Sequence, residues 1–230
     1  GKIQGDVSNG GAIKPGRSPG ALTISGDLIL TNTSLLEMEL AGAATSQYDR
    51  ILIGESLVAA GTLYVVLTNG FSPAYSNSFK LFDFTAVSNV FDTLTLPALA
   101  TGLLWDTSQL YTNGALAVTL DLAADSDSDG MANGWEQSFG FDPFAAADAG
   151  ADRDGDGQSN LDEFRAGTDP TNRVSVFRIA GVAVEGPNLR VTWQTIGGRT
   201  NAVQSSTTPD GAGFGALSGP IVVPGSGLTT

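Results

Sequence analysis

Asp125-Ser126-Asp127-Ser128-Asp129-Gly130 and Asp152-Arg153-Asp154-Gly155-Asp156-Gly157 are two acidic turns, 27 residues apart from Asp125 to Asp152. Each is completed by a glutamate, Glu136 or Glu163, at the twelfth position counted from the first aspartate. The pattern is the full D-x-[DN]-x-[DN]-G-x5-E loop, present twice. Its spacing suits Ca²⁺, which takes six to eight oxygens. Alternate side chains of a tight loop converge on one point, the glycine permits the sharp turn, and the distal glutamate closes the shell with two oxygens.

The first loop offers Asp125, Asp127 and Asp129 as side-chain ligands, Met131 through its backbone carbonyl, Asn133 directly or through water, and bidentate Glu136. The second offers Asp152, Asp154, Asp156, the carbonyl of Gln158, Asn160 and Glu163 in the same roles. The 27-residue offset also carries Gly140 onto Gly167, Asp142 onto Asp169 and Pro143 onto Pro170. A solvated acidic linker is the alternative, and two complete loops with a matched Gly-x-Asp-Pro exit weigh against it. Asp142 and Asp169 read equally well as reaching a neighbouring ion or as Asp-Pro turns.

Working outward, the acidity of the chain is concentrated here. The net charge is −13 over 230 residues, and residues 121–170 hold 13 acidic side chains against Arg153 and Arg165, a local balance of −11. Bound cations would offset that charge, and without a positive patch nucleic-acid binding is not expected. Cysteine and histidine are both absent, which closes Ser-His-Asp and Cys-His chemistry and the usual zinc sites. Charged residues make up only 15% of the chain and glycines number 30, a balance that favours extracellular β structure over a cytosolic helical enzyme. No apolar run is long enough to cross a bilayer. The opening at Gly1 reads as a mature product or a fragment.

Residues 1–120 read as short strands. Leu36-Glu37-Met38-Glu39-Leu40 alternates apolar with acidic; Leu63, Val65 and Leu67 alternate within Thr62–Leu67, and Leu116, Val118 and Leu120 do so with Ala117 and Thr119 opposite. Turn signals fall between them at Asn9-Gly10-Gly11, Pro15-Gly16, Pro19-Gly20, Asn69-Gly70 and Asn113-Gly114. The residues alone leave a solenoid and an antiparallel sandwich both open. Glu37 and Glu39 read as the wet edge of a strand rather than a catalytic pair. Trp105, Tyr111, Tyr48 and Tyr64 read as core packing in preference to a sugar-stacking platform.

Brief helices are expected after each loop, with Trp135 and Phe139 four apart, Leu161 and Phe164 three apart, and Gly140 and Gly167 as stops. Beyond residue 172 the chain returns to strands at Leu189–Trp193, Ala202–Ser205 and Pro220–Val223. Turns are expected at Gly186-Pro187, Gly197-Gly198 and Pro209-Asp210-Gly211. With four or five strands this last part is truncated, leans on the loops, or borrows a strand from a neighbour.

The stretch from Gly11 to Leu28, Tyr48-Asp49-Arg50-Ile51, Gly61–Leu67 and Gly70-Phe71-Ser72-Pro73 resemble the passenger regions of autotransporter-like surface proteins. That resemblance implies a right-handed parallel β-helix or the sandwich-like end of one. Position eight of the loops is Ala132 and Ser159, unlike a paired EF-hand. The segment is more similar to thrombospondin type 3-like or dockerin-like calcium repeats of exported bacterial proteins.

Together these readings give a mainly β chain. Residues 1–120 form a β-rich passenger-like domain as a parallel β-helix end or a β-sandwich, 121–172 a duplicated two-Ca²⁺ segment with two short helices, and 173–230 a small β-sandwich-like domain. The function expected is non-catalytic, structural or adhesive, at a bacterial surface or outside the cell, with fibre assembly by strand exchange as a variant. Partners are calcium and either copies of itself or a surface glycan. An accessory or carbohydrate-binding portion of a secreted polysaccharide-processing enzyme is the alternative, and dockerin-like pairing with a cohesin a third.

Overall fold

The computed structural model describes all residues except 17–18, 196–199, 206–214, 217–220, 223–226 and 230. The chain divides into two compact units, Gly1–Ala124 and Asp125–Thr230.

The first unit is wound in coils of three short strands. The first coil holds β1 (Lys2–Ile3), β2 (Val7–Asn9) and β3 (Ala12–Ile13), and the second β4 (Ala21–Ile24), β5 (Leu28–Leu30) and β6 (Leu35–Leu40). The third holds β7 (Arg50–Ile53), β8 (Ser56–Val58) and β9 (Thr62–Leu67). After β10 (Ser78–Lys80), the fourth holds β11 (Phe82–Asp83), β12 (Ala86–Ser88) and β13 (Thr93–Thr95). Corresponding strands stack in parallel in the orders β1-β4-β7-β11, β2-β5-β8-β12 and β3-β6-β9-β13. Three parallel ladders with one strand per coil define a parallel β-helix, so the solenoid alternative holds over the sandwich.

Side-chain alternation explains why these residues do this. Parallel register aligns Leu22 with Ile51 and Ile51 with Phe82, Leu28 with Leu57, and Leu36 with Leu63. Leu28, Leu36, Ile51 and Leu63 are fully buried, so each ladder contributes an apolar stack to one core. Burial of each such side chain is worth about 1.5–3 kcal/mol. Carboxylates close the corners: Asp27 Oδ1 accepts the N–H of Ser56 at 2.8 Å, and Asp92 Oδ2 that of Gly61 at 2.6 Å. Buried Asp49 accepts from Gly20 at 2.6 Å and from Glu39 at 2.9 Å.

An antiparallel sheet in the order β10-β15-β14, with β14 at Leu103–Asp106 and β15 at Ala115–Leu120, shares this core. Phe79 of β10 meets Tyr48 edge-on at 5.4 Å and Trp105 at 6.1 Å, and Tyr111 packs on Phe91 at 6.2 Å. Tyr48 is therefore a core residue, and Trp105 and Tyr111 pack half-buried against that core, whereas Tyr64, expected with them, is half-buried and outside the cluster. Glu37 and Glu39 are half-buried rather than wet, and Glu37 pairs with Lys14 at 2.7 Å.

The second unit begins with the acidic loops and two seven-residue helices, α1 (Asn133–Phe139) and α2 (Asn160–Ala166). Both stop on a left-handed glycine, Gly140 at φ 72° and Gly167 at φ 78°, where only glycine is free of a Cβ penalty. The chain then forms small antiparallel sheets. β16 (Ile179–Glu185) and β17 (Asn188–Thr195) make a hairpin across Gly186-Pro187, joined by β22 (Gly227–Thr229). β18 (Thr200–Asn201) pairs with β21 (Ile221–Val222), and β19 (Gln204–Ser205) with β20 (Gly215–Ala216). The expected turns at Gly197-Gly198 and Pro209-Asp210-Gly211, and the strand ends at Pro220 and Val223, lie outside the described residues.

Candidate metal centre

The two loops are built alike, hydrogen bond by hydrogen bond. Asp125 Oδ1 accepts the N–H groups of Ser128 at 2.7 Å and Asp129 at 3.2 Å, while its Oδ2 accepts that of Gly130 at 2.9 Å. Asp152 Oδ1 accepts from Gly155 at 2.8 Å and Asp156 at 3.3 Å, and its Oδ2 from Gly157 at 2.9 Å. Asp129 Oδ1 accepts the N–H of Met131 at 2.7 Å and Asp156 Oδ1 that of Gln158 at 2.8 Å. Gly130 and Gly157 sit at φ 96° and 100°, which is the physical reason for glycine at position six.

These bonds engage both oxygens of Asp125 and Asp152 but only Oδ1 of Asp127, Asp129, Asp154 and Asp156. Asp127 Oδ2, Asp129 Oδ2 and both oxygens of Glu136 are buried with no protein partner, as are Asp154 Oδ2, Asp156 Oδ2, Asn160 Oδ1 and Glu163 Oε2. A buried carboxylate oxygen without a donor is costly, and here such oxygens are gathered by type and spacing. Asp125, Asp127 and Asp129 bring ligand atoms within 4.8 Å of one another, and so do Asp152, Asp154 and Asp156. Asp129, Glu136 and Asp148 form a third group at the same separation. Groups of this kind can hold a metal ion.

Electrostatics point the same way. Burial, followed by the charges of neighbouring aspartates, pushes the carboxyl of Glu136 up to about 7. Burial also pushes Glu163 up to about 7, with the hydroxyl of Thr168 acting in the opposite sense and Asp154, Asp156 and Asp152 adding to the rise. Asp127 and Asp129 are raised too, burial again being the main cause. Crowded anions away from water favour a proton or a cation among them.

Each residue expected from the sequence has a place. Asn133 is fully buried with its Oδ1 accepting the N–H of Ser126 at 3.0 Å, whereas Asn160 keeps its Oδ1 unpartnered and donates through Nδ2 to the carbonyl of Asp148 at 2.7 Å. Met131 and Gln158 stand at the seventh position with their N–H groups tied back into the loops. Asp142 and Asp169 serve as turns: Asp142 accepts the N–H of Phe144 at 3.1 Å and Asp169 that of Thr171 at 3.0 Å. Asp148 was not among the expected ligands. Its only sequence signal is a lone acid in the run from Phe144 to Ala149.

The aromatic residues hold the two halves together. Trp135 lies 4.9 Å from Phe139, stacks on Phe141 at 5.5 Å and meets Phe164 of α2 edge-on at 5.3 Å. Arg153 from the second loop sits over Phe141 at 4.9 Å and donates to the carbonyl of Phe139 at 2.7 Å. Helix α1 and helix α2 thus share one small aromatic core, which ties the geometry of one loop to that of the other.

No protein-family model matches this chain, and no curated protein matches it. The reading therefore rests on the residues and their geometry.

Proposed function

We propose that the chain is a non-catalytic, extracellular structural or adhesive protein of a bacterial surface, whose segment 125–170 is ordered by two Ca²⁺ ions. The observation that carries this reading is the duplicated set of buried carboxylate oxygens without protein donors, centred on Glu136 and Glu163. Hard oxygen ligands in this number suit Ca²⁺. Ligand binding to the folded form adds stability by mass action, and calcium outside cells is abundant enough to keep such sites filled. A chain without cysteine has no disulfides with which to restrain the segment, and bound ions supply that restraint.

A β-helix with its core filled by aliphatic stacks supports a scaffolding role. Strands β1, β2 and β3 lie at the edges of their sheets, and edge strands can pair with another chain; assembly by such pairing is the route to fibres in this proposal. The test is calcium uptake by the purified chain, with and without chelator, read by calorimetry alongside sedimentation at rising concentration. Binding of two ions supports the proposal; no uptake at millimolar calcium refutes it.

A further inference from the structure

We propose that Asp148 is a ligand of the first metal site and couples it to the second, an inference that rests on the calcium reading above. Asp148 brings a carboxylate oxygen within 4.8 Å of ligand atoms of Asp129 and Glu136, its Oδ1 is buried and unpartnered, and both oxygens of fully buried Glu136 also lack partners. Its other oxygen, Oδ2, accepts the N–H of Asp142 at 3.2 Å, which fixes the carboxylate in place.

The repeat shows what is special about this position. Twenty-seven residues on, Ser175 does the same backbone work, its Oγ accepting the N–H of Asp169 at 3.0 Å, but it brings no charge. At the second site Thr168 donates its hydroxyl to Glu163 Oε1 at 3.1 Å, whereas the equivalent residue of the first half is Phe141. By loop position the first site draws on five carboxylates (Asp125, Asp127, Asp129, Glu136 and Asp148), with Glu136 and Asp148 converging on Asp129, and the second on four (Asp152, Asp154, Asp156 and Glu163), of which the three aspartates converge. Calcium affinity is set in part by ligand charge, so the first site fills first.

Coupling follows from the backbone of the same residue. The carbonyl of Asp148 accepts from Asn160 Nδ2 at 2.7 Å, and the N–H groups of Asn160 and Leu161 donate to the carbonyls of Ala151 at 2.8 Å and Ala149 at 3.1 Å. Asn160 turns its buried, unpartnered Oδ1 away as a ninth-position ligand of the second loop. An ion that immobilises Asp148 thereby orients Asn160, and the second ion meets a segment already ordered. The sites fill in sequence with positive coupling.

The experiment is calorimetric Ca²⁺ titration of the full chain and of Asp148→Asn, Asp148→Ser, Asn160→Asp, Glu136→Gln and Glu163→Gln. The unaltered chain is expected to take two ions. Asp148→Asn and Asp148→Ser should each weaken the first site by about tenfold. With Glu136→Gln the remaining second site should bind more weakly than in the unaltered chain. Asn160→Asp keeps an oxygen for the ion but loses the donor to Asp148, so the dependence of the second site on Glu136 should vanish. Two ions bound with both Asp148 variants superimposable on the unaltered chain would overturn this inference alone. Equal second-site affinity with and without Glu136→Gln would overturn the coupling, and no uptake by the unaltered chain would overturn the calcium reading with it.

Discussion

On the proposed calcium reading, chelation is the perturbation with the largest expected effect. Each loop gathers three aspartates, with Glu136 and Asp148 converging on Asp129 in the first, and several of these oxygens are buried and unpartnered, so the metal-free segment repels itself. At a free calcium concentration one hundred times Kd, each ion contributes about 2.7 kcal/mol, and two contribute about 5 kcal/mol. That is comparable with the whole stability of a small domain, about 5–15 kcal/mol. The second unit spans Asp125–Thr230, and loss of both ions should lower its melting temperature by roughly 20 °C. Among the described residues the core cluster of the β-helix ends at Val118, so a transition belonging to the first unit should stay where it is. Differential scanning calorimetry in millimolar calcium and in EGTA reads both, and limited proteolysis should place new cleavage within 121–170. Superimposable scans with no new cleavage would refute the reasoning.

Three further predictions test other parts of the account. Glu136 and Glu163 are pushed up to about 7; a carboxyl raised on folding favours the fold while protonated and loses that contribution as pH climbs through its folded value. In EGTA the second unit should therefore melt higher at pH 5 than at pH 8. In calcium, where binding requires both glutamates ionised, the order should reverse; the same order in both buffers would contradict the site. Asp49→Ala leaves two N–H groups of the β-helix without an acceptor and should cost about 3 kcal/mol, measured by urea unfolding. Trp135→Ala removes the centre of the aromatic core between α1 and α2; a cost of about 3–5 kcal/mol and faster hydrogen exchange in both loops are expected, and exchange changed in the first loop alone would break the proposed sharing.

The loops, the helices behind them and their glycine stops were legible because local rules fix them: ligand spacing, the positive φ at Gly130 and Gly157, and the left-handed exits at Gly140 and Gly167. The β-helix was half legible. Its strands alternate as expected, but its coils are unequal, with Val7, Leu28, Leu57 and Val87 stacked at intervals of 21, 29 and 30 residues. An uneven period hides a solenoid from any search for a repeat, and short strands with one face inward look alike in a sandwich. Asp148 was hidden for a related reason. It stands outside the twelve-residue loop and its repeat partner is Ser175, so only the return of the chain toward Glu136 brings it to the site. Asp142 and Asp169 were left open because an Asp-Pro turn and a ligand share one sequence; both make the turn bond, to Phe144 and Thr171, and among the described residues neither falls in a carboxylate group that could hold an ion.

Equilibrium dialysis of the purified chain against radioactive calcium tests the central claim most directly. The account requires saturation at two ions per chain, falling to one with Glu163→Gln. A chain that retains no calcium at millimolar concentration, while keeping the 125–170 segment protected from protease, would contradict it.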